Sequence, residues 1–225
     1  MTTSDRQLAY LDVMGVQVWQ ERFAQEALAP EDLGVQVETK SLEELYSVAS
    51  TCQRCDASTT RKQVVFGDGP TQADWLIVGD FPTEQDETQG HTLTGDPARL
   101  LSEMLLAVGL KKSAVYLTNS VKCRSANIAA ENTELSSCRA FLIRQIQLVN
   151  PLVIFVLGEK AAQSLLISND SLSSLMGKVK TVDDIHAPIV VSHHPRYLLQ
   201  TPSAKKQAWD AIQLARNVVF DHHVG

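Results

Sequence analysis

The chain has 225 residues and a formal net charge of −6, with 44% hydrophobic and 20% charged residues. This ordinary globular composition excludes a disordered, collagenous or coiled-coil protein. The longest apolar run, Leu152–Leu157, is too short to cross a bilayer, and Met1–Tyr10 lacks the pattern of a secretory signal. We therefore expect a cytoplasmic protein, and its negative charge disfavours a large non-specific contact with DNA.

The N-terminal part is set apart from the rest of the chain. Residues 1–28 combine a short predicted helix with a stretch that alternates apolar and polar side chains, and residues 29–40 resemble a linker. We predict a docking peptide, a linker and then one domain over 41–225. The alternative is that the apolar side chains of the peptide fold back onto the domain. The side chains predicted to dock are Leu8, Leu11, Val18 and Trp19.

Predicted strands and helices alternate along the domain, beginning with a helix that a capping box at Ser41 starts. The predicted strands are Val64–Phe66, Trp75–Val78, Val115–Leu117, Leu152–Leu157 and Ile189–Val191. The later predicted helices are Leu100–Val108, Glu134–Val149, Glu159–Leu166 and Ser203–Val218. This alternation predicts a single three-layer α/β/α domain with a mainly parallel central sheet.

Four cysteines occur in a chain without an export signal, which favours metal binding over two disulfides. They are Cys52, Cys55, Cys123 and Cys138. The first two form a Cys-x-x-Cys pair, which is typical of zinc, of an iron–sulfur cluster or of a redox dithiol. A dithiol would leave the other two cysteines unexplained. The spacing therefore predicts a four-thiolate metal site without choosing zinc or iron, and unrelated buried thiols are the alternative.

Polar side chains follow three of the predicted strands at the point where each strand ends. Asp80 follows the second strand, Asn119 the third and His194 the last. Because ligands bind outside the carboxyl ends of parallel strands, we expect these three side chains to converge. An acid, an amide and an imidazole there could recognise a polar ring and activate water. The alternative is that each side chain only caps its strand.

Several stretches resemble the family-four uracil-DNA glycosylases, which carry a 4Fe–4S cluster, over about residues 41–216. The stretches that carry the resemblance are Cys52–Cys55, Val64–Pro70, Thr118–Arg124 and His194–Leu199. The resemblance implies a uracil-DNA glycosylase-like fold and a 4Fe–4S cluster held by the four cysteines. It also implies that Asn119 reads the uracil edge and that His194 polarises the base.

The candidate site departs from that family's pattern. The family's first motif reads Gly-Glu-Ala/Gly-Pro-Gly, whereas here Asp80 is a shortened acid and Phe81 replaces a very small residue. A ring where the backbone must meet a ligand blocks the approach. Leu93 stands where the family places a stacking phenylalanine, and stacking contributes about 1–3 kcal/mol per base. We therefore expect a partly filled base pocket whose catalytic residues are vestigial, namely Asp80, Asn119 and His194.

The stretch Arg6–Trp19 resembles the N-terminal peptide of the psi subunit of bacterial DNA polymerase III. The psi fold is itself related to uracil-DNA glycosylases, although the known psi subunits lack the cluster cysteines. Together with the altered site, this resemblance predicts a non-catalytic, psi-like accessory subunit. Residues 4–26 would dock on the clamp loader through Trp19, and the domain would bind the chi subunit. Chi would in turn contact single-stranded-DNA-binding protein, with weak or absent direct DNA binding.

Two alternatives remain beside the psi-like subunit. The first is an active uracil-DNA glycosylase, in which Asp80 positions water, Asn119 reads the base and His194 stabilises the departing uracil anion. The second is a DNA-damage-binding protein of the same fold without either role.

Overall fold

The computed structural model describes residues 38–124 and 131–224. The chain divides into two units, Met1–Val35 and Gln36–Gly225, and the described residues belong to the second. The predicted docking peptide, with Leu8, Leu11, Val18 and Trp19, lies outside the described residues. The predicted boundaries of peptide, linker and domain therefore stay predictions.

A five-stranded sheet forms the centre of the second unit. Its strands are β1 (Trp75–Gly79), β2 (Val115–Asn119), β3 (Val153–Leu157), β4 (Val179–Val182) and β5 (Ile185–Ser192). They lie in the order β2-β1-β3-β5-β4. All neighbouring pairs are parallel except β4 and β5, which are antiparallel. The predicted α/β fold with a mainly parallel sheet is confirmed.

Helices cover both faces of the sheet. They are α1 (Leu42–Ser50), α2 (Ala57–Thr60), α3 (Glu84–Gln89), α4 (Gly95–Ala107), α5 (Glu131–Val149), α6 (Glu159–Leu166), α7 (Leu172–Leu175), α8 (Pro195–Gln200) and α9 (Lys205–Val224). In the described ranges, no helix is both long and apolar enough to cross a membrane.

The apolar core lies in two layers, one on each side of the sheet. Leu76, Ile154 and Val191 join residues of α5 and α6 in one cluster. Ile77 and Phe155 join residues of α4 and α9 in the other. Successive side chains of a strand point to opposite faces. Every residue of β1, β2 and β3 is buried, as strands covered on both faces should be.

The predicted strand Val64–Phe66 is wrong. This segment is buried, but Val65 makes a single backbone hydrogen bond, from its N–H to the Lys122 carbonyl at 2.8 Å. Asp68 then meets Leu117 in an isolated antiparallel bridge. The segment therefore runs antiparallel beside β2 and the residues that follow it, but with too few backbone pairs to form a strand. Its apolar side chains fill a small core with α1 and α5. Conversely, β4 and the short helices α2, α3, α7 and α8 have no counterpart among the predicted elements.

Candidate active site and metal centre

The carboxyl ends of the parallel strands bring the predicted site residues to one edge. Gly79 and Asn119 are register partners at the ends of β1 and β2, and Asp80 follows Gly79 directly. His194 lies two residues beyond the end of β5. The strands β1, β2, β3 and β5 are parallel, so their carboxyl ends lie at the same edge of the sheet. The predicted convergence of the three side chains requires this arrangement.

A cavity of about 460 Å³ opens at this edge, and its wall includes Asp80, Gly158, His193, His194 and Tyr197. Its volume lies within the range of small-ligand sites, about 300–1,000 Å³. The acid and the imidazole therefore share one cavity. Asn119 is not among the residues that line it.

Asp80 is held by the start of helix α6. Its Oδ1 accepts a hydrogen bond from the Ala161 N–H at 2.7 Å. Its Oδ2 lies 2.2 Å from the position that a Cβ of residue 158 would take, so any side chain there would displace the carboxylate. The positive end of the helix dipole stabilises a negative charge at this place. The carboxylate is thereby fixed in orientation at the cavity wall.

Asn119 is 4% exposed, and its Nδ2 has no hydrogen-bond partner among the described residues. Its Oδ1 faces Gly79, where an added Cβ would lie 2.6 Å away. Buried polar groups are normally hydrogen-bonded, so an orphaned donor is a candidate for ligand recognition. The amide of Asn119 therefore lies beside Gly79, the residue directly before Asp80.

The position of His194 at the start of helix α8 fixes its tautomer. Its Nδ1 accepts a hydrogen bond from the Arg196 N–H at 3.1 Å, so the proton of the neutral ring is on Nε2. Burial and, to a smaller extent, the positive charge of Arg196 lower the pKa of His194 to about 4, while Asp86 opposes both. The imidazole is therefore neutral at pH 7 and offers Nε2–H as a donor.

The two residues predicted to fill the base pocket do not line this cavity. Phe81 packs against the cluster formed by Val121, Leu135 and Cys138, and it is not among the residues that line the cavity. Leu93 is 6% exposed and belongs to the core beneath the sheet. Its φ of 57° is unusual for a residue with a side chain. The expectation that Phe81 blocks the approach of a ligand therefore has no support in this geometry.

Two carboxylates that the sequence interpretation missed hold the segment around Leu93. Asp68 accepts hydrogen bonds from the His91 ring at 2.7 Å and the Thr92 N–H at 2.6 Å. Asp86, 2% exposed, accepts from the N–H of Thr83 at 2.8 Å and from the N–H and hydroxyl of Thr94, each at 2.7 Å. The Thr83–Asp86 contact is a capping box that begins α3. That spacing is the one sequence pattern that could have revealed Asp86.

The four cysteines lie near one another on three separate parts of the fold. Cys52 and Cys55 follow α1, Cys123 follows β2 and Cys138 lies in α5. Burial, with a smaller contribution from the charges of Cys123 and Cys55, raises the pKa of Cys138 to about 12, and Lys122 opposes the shift. Burial also raises the pKa of Cys123, and the thiols of Cys55 and Cys52 add to that effect. The thiols are thus close enough to interact, and a metal would be needed to hold them as thiolates.

The surroundings of the thiols suit an anionic cluster. Arg61 Nη1 lies 3.2 Å from Cys123 Sγ, and backbone N–H groups of Ser58 and Ala57 point at Cys55. Within residues 38–124 and 131–224, no group of three or more His, Cys, Asp or Glu side chains is arranged to hold a single metal ion. A four-iron cluster binds each thiolate at a different iron atom, so its ligands stand farther apart than those of one ion. Four cysteine thiols, with an arginine and backbone N–H donors beside them, are a donor set that an iron–sulfur cluster accepts.

Lys122 links the cysteine region to the candidate site. It is 1% exposed, and its Nζ donates to Thr118 Oγ1 at 2.7 Å and to the Asn119 carbonyl at 2.6 Å. Burial lowers the pKa of Lys122 to about 7, while the charges of Cys138 and Cys123 oppose that shift. The sequence interpretation included Lys122 only as part of a matching stretch, because burial of a lysine cannot be read from spacing.

Comparison with known proteins agrees with this geometry. The model of the uracil DNA glycosylase superfamily matches residues 66–213. The chain belongs to the uracil DNA glycosylase superfamily. A type-4 uracil-DNA glycosylase of Archaeoglobus fulgidus is 30% identical over 175 residues, covering 75% of this chain and 88% of the relative. Those of Thermotoga maritima and Pyrobaculum aerophilum are 32% and 28% identical, covering 72% and 73% of this chain and 86% and 87% of the relatives.

These relatives overturn the main functional prediction. All of them are named as glycosylases, and none is named as a polymerase III subunit. The predicted non-catalytic, psi-like subunit is therefore wrong. The expectation that the altered site makes the protein a non-enzyme is wrong as well. The predicted contact with a clamp loader involves residues 4–26, which lie outside the described residues. No finding tests the predicted contact with chi.

Proposed function

We propose that this chain is a uracil-DNA glycosylase that hydrolyses the N-glycosidic bond of deoxyuridine and thereby acts in DNA repair. The observation that carries the proposal is the shared cavity of Asp80 and His194, with a fixed carboxylate and a neutral N–H donor in one wall. The names of the type-4 relatives support the same substrate.

The reaction requires that uracil leaves the base stack and enters a close-fitting pocket. A uracil at the carboxyl edge of β1, β2 and β5, beside the cavity, would present a carbonyl oxygen to His194 Nε2–H. As the bond from C1′ to N1 breaks, the bonding electron pair passes to the base, and negative charge develops on its carbonyl oxygens. A donor already in place stabilises that charge without reorganisation. Because His194 is neutral, it donates a hydrogen bond without protonating the base.

Asp80 would act on the sugar side of the same bond. The deoxyribose becomes positively charged as uracil departs, and a nearby carboxylate stabilises that charge. The carboxylate also accepts a proton from water as the water oxygen bonds to C1′. The Ala161 N–H orients the carboxylate for both tasks. Asn119 Nδ2, which is orphaned in the structure, would donate to the uracil edge and select the base.

We infer that the four cysteines hold a 4Fe–4S cluster. When bound, the cluster supplies a covalent cross-link between three parts of the fold, and the hydrolysis itself needs no electron transfer. The residues that would bind it are Cys52, Cys55, Cys123 and Cys138. The interaction of their thiols and the N–H donors around them support this assignment.

The proposal is tested by incubating the full chain, purified without oxygen, with single- and double-stranded oligonucleotides that carry one deoxyuridine. Cleavage of the abasic product by alkali reports excision. We expect product from the wild type and a loss of at least about 100-fold in rate for Asp80→Asn, since removing one preorganised group typically costs that much. Wild-type protein that yields no product from either substrate would overturn the proposal.

A further inference from the structure

Arg61 joins two of the segments that carry the cysteines. It follows α2 directly, and its Nη1 donates to Cys123 Sγ at 3.2 Å. Its Nη2 donates to the Ser50 carbonyl at 2.6 Å. Ser50 is the last residue of α1, where helix carbonyls have no partner within the helix. One guanidinium therefore holds the end of the helix that leads to Cys52 and the thiol that follows β2.

The contact with sulfur is fixed in direction. The N–H groups of a guanidinium lie in one plane and form a rigid fork, so the bond to the Ser50 carbonyl also orients the bond to Cys123. The backbone of Arg61 is held as well, because its N–H donates to the Ala57 carbonyl at 3.1 Å. Arg61 is thus a preorganised donor toward one thiol.

The charges around the thiols differ in sign, and Arg61 is the cation that reaches sulfur. Its hydrogen bond and its charge both oppose the rise in the pKa of Cys123 that burial causes. The charge of Glu134 acts in the other direction on Cys55, whose pKa it raises. Lys122 is a second cation nearby, but its ammonium group donates to oxygen atoms. Within the described ranges, Arg61 is the one side chain that donates to a cysteine thiol.

A cluster with four thiolate ligands is an anion in a partly buried place. Hydrogen bonds to its sulfur atoms and its local net charge set its reduction potential. Groups that contact the ligands from outside also orient them and strengthen their hold on the metal. Reduction adds a negative charge to the cluster, so a cation beside it stabilises the reduced form more than the oxidised form and raises the potential.

We propose that Arg61 is a positioning residue of the iron–sulfur cluster, which holds the Cys123 thiolate on iron, slows the loss of iron and raises the reduction potential. This inference rests on the proposed assignment of the four cysteines to a 4Fe–4S cluster and deepens it. It assigns no electron transfer to the hydrolysis. Arg61 acts through Cys123 and through the end of α1, and it touches neither base nor sugar.

The test uses the full-length, iron-loaded wild type beside three variants, all purified without oxygen. Arg61→Met removes the donors and the charge, and Arg61→Lys keeps the charge. Arg54→Met is the matched control, because Arg54 stands between Cys52 and Cys55 but places its guanidinium over the Phe141 ring, 5.3 Å from the centroid. Transfer of iron to bathophenanthroline gives the rate of release. Protein-film voltammetry, in which the electrode supplies the electron, gives the potential, and thermal unfolding compares the folds.

We expect Arg61→Met to release iron about 10- to 100-fold faster than the wild type, the usual loss in metal affinity when an outer contact to a ligand is removed. Its reduction potential should be more negative, which a purely structural role would not require. Arg61→Lys should keep a potential nearer that of the wild type but still release iron faster, because one ammonium lacks the fork that joins sulfur to the Ser50 carbonyl. Arg54→Met should release iron at the wild-type rate.

Equal iron release by Arg61→Met and the wild type would overturn the inference. So would an equal acceleration in Arg54→Met, or a potential that Arg61→Met does not lower. If Arg61→Met holds no iron, Arg61→Lys decides by the same comparison of release rates. A wild type that binds no iron contradicts the cluster assignment instead, and a loaded wild type that releases no uracil contradicts the proposed glycosylase activity alone.

Discussion

Asp80 Oδ2 would lie 2.2 Å from a Cβ at position 158, so the carboxylate occupies the space that the missing side chain leaves. The same carboxylate accepts the Ala161 N–H through Oδ1. One glycine thus allows the acid to reach the start of α6. The orientation of the proposed catalytic acid depends on the residue that precedes this helix.

Gly158→Ala should therefore lower activity by displacing Asp80. We expect kcat/KM for uracil excision to fall about 100-fold, the usual cost of misplacing a reacting group by about 1 Å. Gly109→Ala is the matched control, because Gly109 also has a positive φ, +83° against +106°, but no atom lies within 4 Å of its added Cβ. Both variants carry backbone strain. Equal activity of the two variants would contradict the role of this contact.

His194 should remain neutral far below the pH at which an ordinary histidine titrates. Its pKa is about 4, against an ordinary value of 6.5, so kcat/KM should show no inflection from this group near pH 6.5. Nitrogen-15 NMR of labelled histidines should show a neutral Nε2–H ring at pH 5.5, because Arg196 donates to Nδ1. A His194 signal that titrates near pH 6.5 would show that the donor is not held neutral.

The same shift predicts how stability depends on pH. The unfolded chain protonates His194 near pH 6.5, whereas the folded chain resists protonation until about pH 4. The unfolded state therefore binds more protons between these values, and the free energy of unfolding falls as the pH is lowered through them. Urea unfolding at a series of pH values, compared with His194→Gln, should show a smaller decrease in this window for the variant.

Lys122 should matter for both stability and base recognition. Lys122→Met leaves the Asn119 carbonyl and the Thr118 hydroxyl without their donor, and an unsatisfied buried group costs about 1–3 kcal/mol. Urea unfolding should report that loss. Selectivity for uracil over cytosine should fall too, because the backbone of Asn119 is no longer fixed. The exposed Lys111→Met is the control, and a Lys122→Met protein that matches it in both measurements would contradict this role.

The cysteines should bind iron and sulfide. Elemental analysis of protein purified without oxygen should find iron in the wild type and no stoichiometric zinc. Cys138→Ser should lose most of the iron, since this buried thiol has no replacement nearby among the described residues, while Ser137→Ala on the same helix should retain it. Stoichiometric zinc in the wild type, or full iron content in Cys138→Ser, would contradict the cluster assignment.

The sheet could be predicted because its central strands consist mostly of apolar residues, as strands buried on both faces do. Leu152–Leu157 is apolar throughout, and β3 is buried throughout. The convergence of Asp80 and His194 followed from the rule that parallel strands share a carboxyl edge. The apolar segment Val64–Phe66 misled the prediction because composition reports burial and not pairing. It is buried, but it meets Lys122 through only one backbone bond.

The details of the site could not be predicted, because they depend on contacts between distant parts of the chain. Nothing near Phe81 in the sequence shows that its ring packs beside Cys138, 57 positions later. The buried position of Leu93 depends on Asp68 and Asp86, which hold its neighbours through backbone N–H groups. Sequence spacing therefore could not show that these two side chains pack against the core.

The central claim is that this chain releases uracil from DNA, and mass spectrometry of the released base tests it most directly. Full-length, iron-loaded protein is incubated with oligonucleotides that carry uracil, thymine or cytosine at one position, beside the Asp80→Asn/His194→Gln variant. We predict free uracil and a matching abasic strand from the wild type on the uracil substrate alone, and neither product from the double variant. Iron-loaded wild-type protein that releases no free uracil, or that releases no more than the double variant, would contradict the account.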